Sequence, residues 1–308
     1  MDWTSDLMIE VRELTKEYAG RVAADNVTFS CEPGSITGFL GPNGAGKSTT
    51  LRMLTGLTAP SSGTATIHGV RYRDLPNPGR VVGVMLDATA QHAGRTGRET
   101  VRVTASLLGV PASRADQVLE RVGLSGAGSQ RVAQYSLGMR QRLGLAQALL
   151  GEPEVLVLDE PANGLDPAGI RWMRLLLRDF ARGGGTVLLS SHLLREVEAT
   201  VDQLVVITGG RVVARGNLRE LVGAPTVMTR GVDPAGLEEA LREAGLSFTA
   251  SADGAFRVDA EAEAVGRAAA RAGQVLTELR SVKDTGLEEW FLETTDDAGT
   301  SQFSGDPT

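Results

Sequence analysis

The sequence predicts an α/β fold followed by a smaller α+β unit, and three patterns lead to that prediction. Ile36–Leu40 is an apolar run typical of a buried strand, and a glycine-rich loop and a helical pattern follow it directly. Val155–Leu158 is a second apolar run, which favours a central strand of a parallel sheet. From residue 226 onward, shorter strand and helix patterns alternate, which is typical of a separate small unit.

The length of 308 residues accommodates a main domain of about two hundred residues and one small additional domain. We place the main domain at 1–218, with a helical arm at about 88–150, and an accessory lobe at 219–294. The final segment, 295–308, is polar and Gly-rich, so we expect a disordered tail.

The main domain begins with two or three strand patterns over 7–31, which we expect to form an antiparallel sheet. Its arm contains three helical patterns, and further elements follow the second apolar run. The predicted elements are helices at 99–108, 113–122, 136–150 and 170–182, a strand at 186–189, and a hairpin of 204–208 with 211–214.

The accessory lobe has the element order βαββαβ, which predicts a ferredoxin-like fold. Asp233 is the predicted N-cap of its first helix, and its hairpin turns about Asp253-Gly254. A short amphipathic helix at 286–293 closes the lobe; its apolar side packs on the lobe or, alternatively, binds a membrane. The other predicted elements are strands at 226–229, 247–249, 256–258 and 275–282, and helices at 234–244 and 260–271.

The loop after the first apolar run has the pattern of a phosphate-binding loop. Its glycines permit close backbone approach, and the following helix directs N–H groups and the positive end of its dipole at an anion. Lys47 would reach the β- and γ-phosphates of a nucleotide, and the Ser48 hydroxyl would bind Mg²⁺. A strand–helix turn without a ligand is the alternative. The predicted phosphate-binding residues are Gly41, Pro42, Asn43, Gly44, Ala45, Gly46, Lys47, Ser48 and Thr49.

Two adjacent carboxylates, Asp159 and Glu160, follow the second apolar run. Carboxylates at the carboxyl end of a buried strand are typical of a ligand site. Asp159 is the expected partner of Mg²⁺ through water, and Glu160 is the expected general base for the attacking water. A solvated turn is the alternative interpretation. Together with the phosphate loop, the pair predicts a site for ATP and Mg²⁺.

Between these two motifs, the sequence Tyr-Ser-Leu-Gly-Met at 135–139 precedes a helical pattern, with Ser136 as the predicted N-cap. A capped helix without any further function is the simple interpretation. The sequences Asn-Gly-Leu-Asp-Pro at 163–167 and Ser-Ser-His at 190–192 follow the acid pair. In this order the five motifs resemble those of the ATP-binding cassette (ABC) ATPases, over residues 8 to about 218.

The resemblance implies a P-loop NTPase cassette with an antiparallel β-subdomain and a helical arm that presents the signature motif. In that family two cassettes meet head to tail, so Ser136 and Gly138 of one subunit would complete the γ-phosphate site of the other. Asp166 would lie at the seam of this homodimer. The arm would also contact a separate integral-membrane permease.

The resemblance also gives roles to two aromatic side chains. His192 would contact the γ-phosphate and hold the water geometry set by Glu160, although a lone histidine after a strand is more often structural. With Lys47, these two residues form the expected catalytic set. Tyr18 would stack on adenine, although a tyrosine in a turn usually only packs.

Several positions depart from the family pattern. Leu137 and Met139 replace the central Gly and the final Gln of Leu-Ser-Gly-Gly-Gln, so a ribose contact is lost while the serine and second glycine remain. Asp87 stands where Gln is usual; a carboxylate coordinates Mg²⁺ but donates no hydrogen bond. Ala162 stands where Thr is common.

Composition limits the partners. The net charge of −7 offers no basic field for nucleic acid, and the single cysteine, Cys31, forms no internal disulfide. No apolar run approaches the length that crosses a bilayer, so we expect no direct membrane insertion. The expected location is therefore the cytoplasm, with peripheral attachment to the inner face of the membrane through the permease.

The motifs and the Leu-Glu-Glu-Trp-Phe-Leu ending at 287–292 most resemble the ATPase subunits of bacterial drug, antibiotic and bacteriocin-resistance exporters. The resemblance implies ATP hydrolysis that drives efflux through the permease. The alternatives are the ATPase subunit of an ABC importer and a soluble ABC ATPase that transports nothing.

Overall fold

Three β-sheets organise the computed structural model, which describes residues 8–192, 194–222, 226–251, 254–282 and 291. The chain divides into two compact units, and the boundary lies between Leu218 and Arg219. The predicted helix at 286–293, apart from residue 291, and the predicted tail at 295–308 lie outside the described residues.

The first unit contains an antiparallel sheet, a central sheet and a helical arm. Its strands are β1 (Ile9–Tyr18), β2 (Arg21–Cys31), β3 (Ile36–Leu40), β4 (Ser62–Ile67), β5 (Val82–Met85), β6 (Val155–Leu158), β7 (Thr186–Ser191), β8 (Gln203–Thr208) and β9 (Arg211–Asn217). Its helices are α1 (Lys47–Leu54), α2 (Pro78–Val81), α3 (Gly97–Leu108), α4 (Arg114–Arg121), α5 (Leu137–Leu149), α6 (Pro167–Arg182) and α7 (Leu194–Glu198); α8 (Leu218–Val222) spans the boundary.

The central sheet has the strand order β5-β6-β7-β3-β8-β9. Its strands pair in parallel except for β9, which is antiparallel to β8. Since β6, β7 and β3 are neighbours, their carboxyl ends meet at one edge. The phosphate loop, the acid pair and the Ser-Ser-His sequence are therefore brought to one place, as is usual for ligand sites of parallel sheets.

The antiparallel sheet has the order β2-β1-β4 and shares its core with the central sheet. Phe29 of β2 and Phe39 of β3 are fully buried, and their rings stack with centroids 5.2 Å apart. Offset aromatic pairs of this kind stabilise by roughly 1 kcal/mol beyond their buried area. This contact fixes the strand before the phosphate loop against the sheet that carries Tyr18.

The helical arm consists of α3, α4 and α5. Thr96 and Glu99 form a capping box at the start of α3: the Thr96 hydroxyl accepts the Glu99 N–H, and the Glu99 carboxylate accepts the Thr96 N–H. The apolar residues that the helices bury against each other include Val101, Val118, Leu119 and Leu143. None of the helices in the described residues has the length and apolar character of a membrane span.

The second unit comprises β10 (Thr226–Gly231), α9 (Pro234–Glu243), β11 (Phe248–Ala250), β12 (Phe256–Asp259), α10 (Ala262–Arg271) and β13 (Leu276–Val282). Its strand order is β11-β12-β10-β13, which confirms the predicted ferredoxin-like topology. Asp233 is the N-cap of α9, as predicted, because its carboxylate accepts the Gly236 N–H at 3.1 Å. Leu237, Leu241 and Val265 of the helices pack on Phe256 and Val258 of the sheet.

The predicted elements that fall within the described residues are present, with shifted bounds, whereas Asp253 of the predicted hairpin turn lies outside the described residues. The helix predicted from residue 170 begins at Pro167, because the Asp166 carboxylate accepts the Gly169 N–H and caps the helix earlier. The strand predicted at 186–189 continues to Ser191, which pairs with Leu40 of β3.

The elements β4, β5, α2, α7 and α8 were not predicted from the sequence. Glycine interrupts the short apolar pattern of β5 at Gly83, where a Cβ atom would lie 2.2 Å from the Ala148 carbonyl oxygen. The strand β4 begins with the exposed residues Ser62, Gly63 and Thr64, so no alternation of polar and apolar residues marks its start.

Candidate active site

The phosphate loop is built so that only glycine fits at two positions. Gly46 has φ of 105° and precedes α1 without a side-chain cap, and a Cβ at this position would lie 2.4 Å from the Ala23 carbonyl oxygen. A Cβ on Gly41 would lie 2.2 Å from the Ile207 carbonyl oxygen. The uncapped first turn of α1 directs its free N–H groups toward the loop, which suits an anion.

Lys47 is 6% exposed and is the first residue of α1, and its side chain reaches back to the start of the loop. Its ammonium donates to the carbonyl oxygens of Gly41 at 2.6 Å and Pro42 at 3.2 Å, and lies 3.9 Å from Oε1 of Glu160. Burial lowers the pKa of Lys47, and the carboxylates of Glu160 and Asp159 oppose that shift. The partly desolvated ammonium is the group at this loop that attracts phosphate oxygens, through charge-assisted hydrogen bonds.

Ser190 links the Asp159 carboxylate to the backbone of Glu160, and no role was predicted for it from the sequence. The Ser190 hydroxyl, which is fully buried, donates to Oδ1 of Asp159 and accepts the Glu160 N–H at 2.9 Å. Its position in the sequence could have suggested a role in the site, since Ser190 directly follows the strand predicted at 186–189 and lies two residues before His192. Only the pairing of β6 with β7 places it beside the acid pair.

Glu160 and His192 contact each other directly. Nδ1 of His192 lies 2.7 Å from Oε2 of Glu160, and both side chains are partly exposed. Glu160 has φ of 49°, a left-handed conformation that costs a non-glycine residue about 1–3 kcal/mol. The Ser190 hydroxyl, which accepts the Glu160 N–H, therefore holds the strained backbone, and the contact with His192 orients the carboxylate.

A cavity of about 360 Å³ lies over the loop and is lined by Asn43, Gly44, Lys47, Ser48, Thr49 and Glu160, among others. Arg21, Val22 and Ala23 at the start of β2 also line it. Tyr18 pairs with Arg21 at this hairpin end, is 46% exposed, and has the Lys16 ammonium 4.9 Å from its ring centre. The tyrosine is thus about half exposed and pairs with a residue that lines the cavity, which suits stacking, although its contact with adenine stays a prediction.

Asp87 lies outside the lining of the phosphate cavity. Its Oδ1 accepts the N–H of Thr89 at 2.7 Å and the Thr89 hydroxyl at 2.6 Å, and these bonds lower the pKa of Asp87. It lines a groove of about 500 Å³ beside the helical arm. The structure does not bring Asp87 into the lining of the phosphate cavity, and its contact with Mg²⁺ stays a prediction.

The signature residues also lie away from the phosphate cavity within one chain. The Ser136 hydroxyl accepts the Met139 N–H at 3.2 Å and caps α5, as predicted. A Cβ on Gly138 would lie 3.1 Å from the Gly164 carbonyl oxygen, so the start of α5 packs on the loop that precedes Asp166. A role in nucleotide binding for Ser136, Gly138 and Asp166 would therefore require a nucleotide that is bound in the phosphate cavity of a second copy of the chain, and it stays a prediction.

In the part of the chain that the structure describes, no group of three or more His, Cys, Asp or Glu side chains is arranged to hold a metal. Ser48 lines the phosphate cavity, and the Asp159 carboxylate is close enough to oppose the lowering of the Lys47 pKa by burial, so the two supply one hydroxyl and one carboxylate. That small donor set fits Mg²⁺, which commonly keeps water and substrate phosphates as its other ligands.

The phosphate loop, the acid pair and the histidine on three adjacent parallel strands define a P-loop nucleotide hydrolase. A family model described as ABC transporter matches residues 24–163, and a model described only as a domain of unknown function matches residues 225–288.

The chain is 42% identical to a bacitracin transport ATP-binding protein of Bacillus licheniformis, over 66% of this chain and 68% of the relative. It is 37% identical to a lantibiotic transport ATP-binding protein of Streptococcus pyogenes, over 67% and 89%. A bacitracin transport ATP-binding protein of Enterococcus faecalis is 34% identical over 93% of this chain and 96% of its own length.

A solved structure of the ATP-binding subunit of an ABC transporter matches with a TM-score of 0.64 and 30% identity, over 70% of this chain and 91% of that chain. A dimeric post-hydrolysis cassette bound to ADP and phosphate matches with a TM-score of 0.63 at 24% identity, which supports the fold. The chain belongs to the ATP-binding proteins of ABC transporters and is an ATP hydrolase of that family.

Proposed function

We propose that two copies of this chain hydrolyse ATP at their shared interface and thereby drive export of an antibiotic or peptide through a separate membrane permease. The observation that carries the proposal is the similarity to the Enterococcus faecalis bacitracin transport protein. That similarity covers 93% of this chain and thus includes most of the accessory lobe.

The residues of the phosphate cavity divide the chemistry between them. The first-turn N–H groups of α1 and the Lys47 ammonium hold the phosphates, and Ser48 and Asp159 would hold Mg²⁺. The bound ion would neutralise charge on the phosphate oxygens. Glu160 accepts the proton of the attacking water, and the His192 imidazole orients that carboxylate from 2.7 Å.

A second copy would complete this site. Ser136 stands at the start of α5, where its helix presents N–H groups, and Gly138 of the same helix packs on the loop that precedes Asp166. We assign Ser136 and Gly138 to the γ-phosphate of the partner and Asp166 to the seam of the homodimer.

The permease would bind in the groove beside the helical arm. Leu107 is 79% exposed and Val103 is 40% exposed, and both line this groove of about 500 Å³ with Leu108 and Met85. The groove combines these apolar side chains with polar ones such as Gln91 and Arg95, and a groove of this size and mixed character suits a short amphipathic helix from a cytoplasmic loop of the permease. This attachment would place the chain on the inner face of the cell membrane.

Resistance provides the test. The chain is co-expressed with the membrane protein encoded beside it in a sensitive bacterium, and growth is measured against bacitracin and a lantibiotic. We expect resistance with the wild type and none with Glu160→Gln. Wild-type co-expression that protects against neither compound, or a neighbouring solute-binding protein with uptake of its ligand, would favour the importer alternative.

The groove is tested separately. Leu107→Arg should leave ATP hydrolysis by the isolated chain unchanged but prevent its co-sedimentation with permease-containing membranes. Leu57→Arg is the matched control, because Leu57 is 69% exposed and lies outside the groove lining. Retained co-sedimentation of Leu107→Arg, or binding of the wild type to permease-free membranes, would contradict the assignment.

A further inference from the structure

The strand β13 forms one edge of the accessory lobe's sheet. Its inner side pairs with β10 from Thr226↔Val282 to Gly231↔Leu276. Among the described residues, no strand pairs with its outer side. Every second residue of this seven-residue strand therefore points its backbone N–H and C=O groups outward, toward an additional strand, and natural proteins usually block long edges of this kind.

The side chains of β13 alternate in a way that favours a partner strand. Glu278 and Arg280 point to one face of the sheet, where Nε of Arg280 lies 2.5 Å from Oε1 of Glu278. Leu279 points to the other face, beside Gly266 of α10, and is 40% exposed. The edge thus combines one acidic, one apolar and one basic residue in direct succession.

We propose that two copies of the chain pair antiparallel through β13, about a two-fold axis that passes through Leu279. In this register Leu279 lies opposite the partner's Leu279, and Glu278 lies opposite the partner's Arg280. Because of the symmetry, the Glu–Arg pair occurs twice. The two four-stranded sheets join into one continuous sheet, and the exposed Leu279 side chain is covered.

The charges select both the partner and the register. An axis through residue 278 would oppose two glutamates, and an axis through residue 280 would oppose two arginines, which destabilises directly facing strands. Of these three registers, only the one with its axis through Leu279 pairs opposite charges and places an apolar pair between them. A strand that complements itself in this way favours a second copy of the same chain over an unrelated partner.

The first test exchanges the two charges in the full chain without nucleotide, so that its outcome does not depend on ATP hydrolysis. Sedimentation velocity over a concentration series measures the dimer dissociation constant. Glu278→Arg and Arg280→Glu should each raise that constant about tenfold or more, since each creates two like-charge contacts. The double exchange should restore the wild-type constant, and an equimolar mixture of the two single variants should form heterodimers.

The matched control is Arg257→Glu, which makes the same charge change on the interior strand β12, opposite Met228 and in one row with Arg280. It should leave the dissociation constant unchanged. A wild-type chain that stays monomeric throughout, single variants that dimerise as well as the wild type, or a control that weakens the dimer equally would each overturn the proposal.

The second test determines which residues of the two β13 strands lie opposite each other in the dimer. Cys31 is the single cysteine of the sequence and is buried, so an introduced cysteine is the reactive one. Oxidised Leu279→Cys should form a covalent dimer. Thr277→Cys should not, because its two copies would lie on the order of 14 Å apart, beyond disulfide reach. Equal cross-linking of both variants, or cross-linking of Thr277→Cys alone, would exclude this register.

Discussion

Nδ1 of His192 lies 2.7 Å from Oε2 of Glu160, across the ends of two adjacent parallel strands. The backbone of Glu160 has a left-handed conformation, and its N–H donates to the Ser190 hydroxyl. Ser190 thus holds the backbone of Glu160, and His192, which follows in the same neighbouring segment, holds its carboxylate. The proposed general base is thus positioned by tertiary contacts, and its orientation has measurable consequences.

Glu160→Gln should retain binding of Mg-ATP and reduce hydrolysis by a factor on the order of 10² or more, because the amide cannot accept the proton of water. It should also accumulate an ATP-bound dimer on size exclusion. Turnover and ATP binding are measured separately, with the exposed Glu120→Gln as a control. Unchanged turnover would remove Glu160 from the role of base.

Ser190→Ala should reduce kcat more than it changes KM for ATP. The substitution removes the hydroxyl that holds both Asp159 and the Glu160 backbone while leaving the phosphate loop intact. Steady-state kinetics with a melting curve distinguish this effect from unfolding. A change confined to KM would indicate that Ser190 acts only through nucleotide binding.

Lys47→Met should abolish the rise in melting temperature that Mg-ATP produces, since the phosphate contact is lost.

The same substitution should also change how the free energy of unfolding depends on pH. Burial lowers the pKa of Lys47 below 10.5, so the unfolded chain binds more protons in the window between the two values. The free energy of unfolding of the wild type, relative to Lys47→Met, should therefore rise as pH increases through that window. Denaturation at a series of alkaline pH values measures this, and a relative stability that falls would contradict the buried, desolvated ammonium.

Tyr18→Ala should weaken ATP binding about tenfold or more, as expected for the loss of one base–aromatic stack, whereas Tyr18→Phe should bind normally. Isothermal titration compares ATP with inorganic triphosphate, which has no base. Only ATP binding should depend on the aromatic ring. An equal loss for both ligands would place Tyr18 in loop packing.

Ser136→Arg and Lys47→Ala subunits should each be inactive alone but recover ATPase activity when mixed. In an equimolar mixture half of the dimers contain one intact site, so about a quarter of the wild-type sites return. A control chain that carries both substitutions should show no ATPase activity at any protein concentration, because its dimers contain no intact site. Absence of recovery in the mixture would show that Ser136 does not act across the dimer.

A chain ending at Arg219 should still bind ATP, because every described residue of the phosphate cavity precedes the boundary between the two units. It should lose the nucleotide-free dimer proposed for β13. Circular dichroism checks that the shortened chain is folded. Loss of ATP binding in a folded truncated chain would assign part of the site to the lobe.

The sequence determined the elements whose chemistry is local. The apolar run 36–40, the glycines of the phosphate loop and the caps Ser136 and Asp233 each depend on neighbours a few residues away, so the strand, loop and helix starts were predictable. The βαββαβ order of the lobe followed from periodicity in the same way.

Only the tertiary structure decided how distant segments meet. The strand order places Ser190 between Asp159 and Glu160, from which it is separated by about thirty residues. Packing placed Asp87 in the groove beside the arm and outside the lining of the phosphate cavity, and it placed β13 at an edge of its sheet. Sheet order and edge exposure depend on pairing between strands far apart in the chain, and periodicity within a strand carries no information about its neighbour.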